Sequence, residues 1–206
     1  MNTLEKIFEE SASPAEYVEA YTAHMASLMQ SLDAESVALV MRAIGAAAEQ
    51  NQTVFLMGNG GSGAVGAHWV NDLGANSVVE GSPGFRVISL TDNPFSVTAV
   101  ANDASFEEIF EIQLKASMRR GDLVIAMSVS GNSPNIVRGA QYANDHGATT
   151  IGCTGFDGGK LRELCRYGVH VPSSKDEYGP VEDMFSVVMH LVTSYITMER
   201  GRLLRH

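Results

Sequence analysis

Two histidine–carboxylate pairs stand at helical spacing in the sequence. His68 precedes Asp72 by four residues, so their side chains face the same way if the segment is a helix. Glu182 precedes His190 by eight residues, which leaves them roughly 80° apart around a helix with its 3.6-residue period. Proton transfer requires a positioned base and acid whose pKa values lie near the working pH. These four residues are therefore candidates for acid–base chemistry.

The same residues also have ordinary structural interpretations. A histidine and an aspartate four apart are a common local pair on helices. Glu182 lies in the first turn of a predicted helix, where a carboxylate interacts favourably with the helix dipole. His190 stands within an apolar stretch, which is typical of a core or subunit-contact position. The pairs alone leave both interpretations open.

A glycine-rich run, Gly58-Asn59-Gly60-Gly61-Ser62-Gly63, follows the first predicted strand. It matches the G-x-G-x-x-G pattern of dinucleotide-binding turns and lacks the G-K-[ST] ending of a P-loop. The dinucleotide interpretation also expects an acidic residue at the end of the next strand, about 20 residues on. That residue is Asp92, which lies further away. A nicotinamide-dependent oxidoreductase and a plain tight turn both stay open at this point.

A serine-rich run, Ser128-Val129-Ser130-Gly131-Asn132-Ser133-Pro134, follows the third predicted strand. Ser133 suits the N-cap of a helix and Pro134 its first residue. Hydroxyls and backbone N–H groups then converge on a helix N-terminus, which suits a phosphate monoester without a Lys or Arg. A dinucleotide enzyme does not need this second phosphate-type loop, so we predict no nucleotide cofactor.

The elements that position these loops alternate between strands and helices. Short apolar runs predict strands at 53–57, 86–90, 123–127, 149–153 and 168–171. Helical stretches are predicted at 64–73, 95–102, 106–118, 134–146 and about 180–200. This alternation indicates an α/β fold with a doubly wound, mainly parallel five-stranded sheet, flavodoxin-like in type. Ligands bind beyond the carboxyl ends of such strands, where both loops lie.

Residues 1–51 are predicted to be helical throughout. Apolar stripes on either side of a break at 30–33 indicate two amphipathic helices in a hairpin. We predict that residues 1–51 form this hairpin and make subunit contacts, and that 52–206 form the α/β domain with its C-terminal helix.

Composition excludes several classes of protein. The chain has 206 residues, 45% of them hydrophobic, which is typical of a globular domain. Its net charge of −10 argues against nucleic-acid binding. The sequence has no apolar run of membrane-spanning length and no signal-peptide pattern at its start, so we expect a cytoplasmic protein without membrane contact. Cys153 and Cys165 are expected to be reduced structural thiols.

Taken together, these motifs resemble the sugar isomerase (SIS) family, and within it the bacterial phosphoheptose isomerases. The resemblance covers nearly the whole chain: the helical hairpin, the glycine and serine runs, and the stretches 89–92, 102–103 and 154–160. It implies the SIS fold and an aldose–ketose isomerase that converts sedoheptulose 7-phosphate to D-glycero-D-manno-heptose 7-phosphate through an enediol.

The resemblance also implies roles for individual residues. Asp72 and His190 would be the catalytic acid and base. The residues matched to the family's substrate site are Asn59, Gly60, Gly61, Ser62, Asp92, Ser128, Ser130, Asn132 and Ser133. Some members carry zinc, and the matching ligands here are His68, Asp72, Glu182 and His190, a donor set that suits Zn²⁺ or another divalent metal.

Further implications of the resemblance are a homotetramer with sites at subunit interfaces and a sugar phosphate as the substrate. The chain departs from the family at four places: Asp72 replaces a Glu, Glu182 a Gln, Val129 a Thr, and an Asp before the last helix falls near Gly179. Two alternatives stay open. One is an isomerase of another sugar phosphate. The other is a non-catalytic, regulatory sugar-phosphate-binding SIS protein of the type that partners the replication initiator.

Overall fold

A five-stranded parallel sheet organises the computed structural model, which describes residues 1–201. The strands are β1 (Thr53–Gly58), β2 (Arg86–Ser89), β3 (Leu123–Ser128), β4 (Thr149–Thr154) and β5 (Tyr167–His170). Their order is β2-β1-β3-β4-β5, and every neighbouring pair is parallel. This order is flavodoxin-like, and the chain changes direction across the sheet between β1 and β3. The loops after β1 and β3 are therefore neighbours at the point where such folds bind ligands.

Helices cover both faces of the sheet. They are α1 (Thr3–Glu10), α2 (Pro14–Gln30), α3 (Ala34–Glu49), α4 (Gly60–Trp69), α5 (Pro94–Asp103), α6 (Ile109–Ser117), α7 (Pro134–Asp145), α8 (Gly159–Leu164) and α9 (Tyr178–Glu199). Helices α3, α4 and α9 pack on one face, and α6, α7 and α8 pack on the other. Two apolar clusters result, one on each side of the central strands β1, β3 and β4, which are buried on both faces.

The N-terminal region contains three helices, where the sequence predicts a hairpin of two. The hairpin is present as α2 and α3, and its break falls at the predicted place. The additional helix, α1, begins with a capping box in which Asn2 and Glu5 satisfy each other's backbone N–H groups. Ser13 and Pro14 then start α2 as N-cap and first residue. Capping residues therefore separate α1 from α2, a division that the apolar pattern of this region does not predict.

A buried carboxylate ties this N-terminal region to the start of α9. Glu177 is fully buried, accepts a 2.6 Å hydrogen bond from the Thr3 backbone N–H, and lies 3.1 Å from His24 Nε2. Burial alone would raise the pKa of Glu177, but the hydrogen bonds from Thr3 and the contact with His24 outweigh it and lower the pKa. Helices α1 and α2 thus fix the end of α9 from which the functional residues follow.

The structure confirms all five predicted strands within one or two residues. The boundaries or types of several helices differ from the prediction. Helix α4 begins four residues earlier than predicted and continues as a π-helical turn, Val70–Asn76. The predicted helix at 106–118 is a 3₁₀ turn, Phe106–Glu108, followed by α6. Helix α8 was not predicted, because its six residues are too few to show a period.

The two cysteines and the lengths of the helices bear on two further expectations, reduced thiols and the absence of a membrane-spanning helix. Cys153 is buried and Cys165 is half-buried, and both are free. Burial raises the pKa of Cys153 to about 12 and that of Cys165 to about 11, so both thiols stay protonated at neutral pH. Among residues 1–201 there is no helix with the length and apolar character needed to cross a bilayer.

Candidate active site

The glycine-rich loop turns the chain from β1 directly into α4. Gly60 adopts a left-handed φ of +51°, which favours glycine. A Cβ on Gly58 would come within 2.7 Å of the Ser62 backbone, so only glycine allows this close turn. The backbone N–H groups of the first turn of α4 consequently point out of the end of the sheet, as in an anion-binding helix start.

A reciprocal amide pair joins this loop to the serine-rich loop after β3. The side chains of Asn59 and Asn135 exchange two hydrogen bonds, of 2.9 Å and 2.8 Å. Asn59 is the N-cap of α4, yet its side chain makes no capping bond there. Because Asn135 is fully buried in the first turn of α7, the pair sets the distance between the starts of the two helices.

The serine-rich loop presents hydroxyls toward the same space. Ser133 is the N-cap of α7 and Pro134 its first residue, as predicted. The Ser133 side chain does not cap the helix; instead its Oγ accepts a hydrogen bond from Ser128 Oγ at 3.2 Å. Ser130 Oγ accepts one from the Asn132 N–H at 3.3 Å. We call the hydroxyls of Ser62, Ser128, Ser130 and Ser133, with the N–H groups at the start of α4, the cradle.

A carboxylate from α9 lies in the cradle. Glu182 Oε1 accepts hydrogen bonds from the Ser62 backbone N–H at 2.9 Å and from Ser62 Oγ at 3.1 Å. The cavity beside it has a volume of about 90 Å³ and is lined by Asn59, Ser62, Met127, Ser128, Val129, Ser130, Ser133, Tyr178 and Glu182. The cradle therefore holds negative charge supplied by the protein itself.

A second group of side chains brings the two predicted acid–base helices together. Asp72 Oδ2 lies 3.4 Å from His68 Nε2 and 3.6 Å from His190 Nε2. The two imidazole rings meet edge to face with centroids 5.1 Å apart. Both histidine side chains are about half exposed, at 50% and 56%, whereas Asp72 is 16% exposed. We call His68, Asp72 and His190 the histidine–aspartate cluster.

Packing of α4 on α9 creates this cluster. Trp69 follows His68 and is buried, and its Nε1 donates a 3.1 Å hydrogen bond to Thr193 Oγ1, one turn after His190. Asp72 lies in the π-helical turn that extends α4, a rare conformation that occurs frequently at functional sites. The carboxylate thus faces α9 between the two imidazoles.

A model of the SIS domain matches residues 16–155 of this sequence. The chain belongs to the SIS domain family. The predicted family is confirmed.

Relatives at the sequence level are phosphoheptose isomerases. The one from Aquifex aeolicus is 37% identical over 174 residues, which are 84% of each chain. The one from Aliarcobacter butzleri is 37% identical over 148 residues, covering 71% of this chain and 76% of that protein.

Solved structures support the same fold. The phosphoheptose isomerase from Neisseria gonorrhoeae superimposes with a TM-score of 0.81 at 23% identity, covering 90% of this chain and 100% of that one. The one from Francisella tularensis gives 0.79 at 25% identity, covering 96% of this chain and 100% of that one. The predicted doubly wound fold is confirmed.

Within this SIS domain, the structure assembles most but not all of the predicted site. The cradle residues meet at the carboxyl ends of β1 and β3. Three of the four predicted metal ligands form the histidine–aspartate cluster. The fourth, Glu182, is not part of that cluster among the described residues, because its carboxylate is bound to Ser62. Asp92 is exposed in the turn after β2 and does not line the cradle cavity. Asn132 is exposed and braces its own loop through the Ser130 carbonyl.

Three residues near the site were missed by sequence reasoning. Asn135 pairs with Asn59, Tyr178 lines the cradle, and Glu177 anchors the start of α9. An asparagine directly after the predicted Pro134 helix start was a usable signal, since short polar side chains there bond to neighbouring backbone or loops. The sequence contains no comparable signal for Tyr178 or Glu177, because the positions of these residues depend on where α9 meets the sheet.

Proposed function

We propose that this chain is an aldose–ketose isomerase that converts sedoheptulose 7-phosphate to D-glycero-D-manno-heptose 7-phosphate. The observation that carries the proposal is the position of Asp72 between His68 and His190. These residues lie on α4, its π-helical extension and α9, and α4 and α9 also contribute Ser62 and Glu182 to the cradle. Support comes from the two relatives at 37% identity, both of which are phosphoheptose isomerases.

The reaction moves one proton between adjacent carbons. A base removes a proton from C1 of the ketose while an acid protonates the C2 carbonyl oxygen, which gives an enediol. Loss of the O1 proton and return of a proton to C2 then give the aldose. Asp72 and His190 are the proposed acid–base pair, since a carboxylate and an imidazole in contact can exchange roles between the two half-reactions.

Binding is assigned to the two loops. The hydroxyls of Ser62, Ser128, Ser130 and Ser133 and the start of α4 would hold the phosphate, which needs no cationic side chain there. The remaining predicted contacts to the sugar are Asn59, Gly60, Gly61, Asp92 and Asn132. Of these, Asn59 lines the cradle cavity.

The histidine–aspartate cluster also fits a divalent metal. One ligand atom from each of His68, Asp72 and His190 lies within 4.8 Å of the others, and nitrogen and carboxylate donors suit Zn²⁺. We propose these three as ligands, with the sequence-matched Glu182 as a fourth that the described geometry does not bring near. A bound Zn²⁺ would supply Lewis-acid stabilisation to the enediolate oxygens.

Assembly and location follow the family resemblance. We propose a homotetramer in the cytoplasm, with the N-terminal helices at subunit contacts. Exposed apolar side chains on those helices, Phe8, Val18 and Met29, support this assignment. Light scattering of the purified protein tests it: a mass four times that of one chain is expected, and a monomer would contradict it.

Proton NMR with sedoheptulose 7-phosphate in D₂O, with and without added Zn²⁺, tests the reaction. We expect new anomeric signals of a heptose aldose phosphate and exchange of the C1 protons with solvent, as an enediol requires. Absence of both under both conditions would reject the heptose reaction, and a panel of other ketose phosphates would then test the second isomerase hypothesis. Phosphate binding without turnover of any of them would favour the regulatory alternative.

A further inference from the structure

The cradle is closed by a charged side chain that the proposed mechanism does not use there. Glu182 comes from α9, 120 residues along the chain from Ser62, and its carboxylate takes both donors that Ser62 offers. A phosphate group bound by the same loop would use these two donors. The protein therefore already fills part of the position that the proposed substrate needs.

The contact has the chemistry of a helix cap. Ser62 is the third residue of α4, and its N–H group has no partner within that helix. The N-cap residue Asn59 would ordinarily satisfy it, but the Asn59 side chain is paired with Asn135. Glu182 takes over this function from another helix, and its negative charge at the start of α4 is favourable.

The space around Glu182 is shaped for its carboxylate. A Cβ on Gly61 would overlap Oε2 and Cδ of Glu182, so the missing side chain at Gly61 leaves room for the carboxylate. The remaining cavity of about 90 Å³ is well below the roughly 300–1,000 Å³ typical of small-molecule sites. A phosphate group that binds both donors of Ser62 therefore requires the Glu182 carboxylate to leave them.

We infer that Glu182 is an internal competitor for the phosphate group of the substrate and thereby a specificity-determining residue of the cradle. The inference rests on the proposed function, which assigns a phosphate monoester to this loop. A dianionic phosphate makes more charge-assisted hydrogen bonds than a carboxylate does, so it can displace the Glu182 carboxylate from Ser62. A ligand that presents a single carboxylate would only replace one carboxylate by another.

Titration of the full chain with inorganic phosphate tests the inference. Binding is measured by calorimetry and by the NMR shift of the Ser62 amide resonance. Glu182→Gln keeps the shape of the side chain and removes its charge. We expect it to tighten phosphate binding about five- to tenfold, the scale of one carboxylate at a helix N-terminus. Asp183→Asn removes the same charge one residue away, where the side chain is exposed, and should leave binding within twofold of the original chain.

The Ser62 resonance distinguishes competition from a general charge effect. In the original chain phosphate should shift it by replacing Glu182, and in Glu182→Gln the same end point should be reached at lower phosphate concentration. Equal or weaker phosphate binding by Glu182→Gln would overturn the inference, since Glu182 would then assist the ligand. Equal tightening by Asp183→Asn would overturn it as well.

Turnover separates this inference from the proposed function. Sedoheptulose 7-phosphate turnover with no tightening in Glu182→Gln would keep the isomerase and reject the competitor. Tightening of phosphate binding in Glu182→Gln, together with no turnover of any ketose phosphate by the original chain, would keep the competitor and reject the isomerase. In an active enzyme, the KM of Glu182→Gln should fall by the same factor as its phosphate dissociation constant.

Discussion

The cradle and the histidine–aspartate cluster lie in the same SIS domain but are built in opposite ways. The cradle consists of backbone N–H groups and short hydroxyl side chains, held by glycine turns and by the half-buried Asn59–Asn135 pair. The cluster consists of longer side chains, two of them about half exposed, that meet because α4 packs on α9. The proposed binding loops are thus shaped by turn geometry and one amide pair between them, whereas the proposed proton-transfer groups depend on how two helices pack.

The two regions also differ in how their charge is balanced. In the cluster Asp72 lies between two imidazoles that can carry positive charge. In the cradle the contacts of the Glu182 carboxylate within residues 1–201 are to N–H and O–H dipoles of Ser62. We therefore expect changes in the cluster to alter turnover, and changes in the cradle to alter binding and stability.

The largest effect is expected from Asp72→Asn. The amide keeps the size of the side chain but cannot take a proton, so kcat should fall by about 10²–10⁴-fold while phosphate binding stays unchanged. Steady-state kinetics with sedoheptulose 7-phosphate measure this, and Asp183→Asn is the matched control for lost charge. A kcat within threefold of the original chain would show that the cluster does not transfer the proton.

Zinc affinity gives the next largest effect. His68→Ala and His190→Ala should each weaken Zn²⁺ binding by at least about tenfold, as the loss of a ligand or of its support does. Competition with a chromogenic chelator measures it. His146→Ala is the control, because His146 stacks on Tyr142 at 3.9 Å, outside the cluster. If all three variants bind Zn²⁺ alike, the cluster serves acid–base chemistry alone.

An intermediate effect is expected where the cradle depends on a buried contact. Asn135→Ala leaves the Asn59 amide without its partner, which should lower the free energy of unfolding by about 1–3 kcal/mol. Urea denaturation measures it, with the exposed Asn102→Ala as control. KM should rise more than kcat falls, since the distance between the two loops changes. A variant with unchanged stability and KM would show that the amide pair does not hold the loops together.

The sequence predicts the cradle better than the cluster for a physical reason. Gly60 and Ser133 stand directly after buried strands, and turn chemistry and helix capping act over a few residues, so their positions follow from local spacing. For Asp72 and His190 the prediction rests on helical spacing and on the family resemblance. Their contact depends on the packing of α4 on α9, helices distant in sequence that the Trp69–Thr193 hydrogen bond also joins, and spacing does not reveal this packing.

The partner of Glu182 could not be predicted from residue spacing. The place of Glu182 in the first turn of the helix predicted at about 180–200 suggests either a cap on its own helix or a metal ligand. The observed helix α9 begins earlier, at Tyr178, and has no acidic residue in its first turn. The structure instead has Glu182 capping α4, because the Asn59 side chain is used elsewhere. The five strands and their parallel order were predictable from apolar runs, whereas the short helices α1 and α8 were not, since capping and tertiary contacts define them.

The smallest effect is expected from Glu182→Ala. Removing the cap of α4 should lower the free energy of unfolding by about 1 kcal/mol without phosphate. Because phosphate then binds an unoccupied cradle, it should stabilise this variant by about 2.7 kcal/mol at 100 times the variant's dissociation constant. The original chain binds phosphate more weakly, so the same concentration should stabilise it by about 1 kcal/mol less. Thermal unfolding with and without inorganic phosphate measures both, and Asp183→Ala is the control. Equal protection of all three proteins would place the phosphate outside the cradle and remove the division between a binding region and a proton-transfer region.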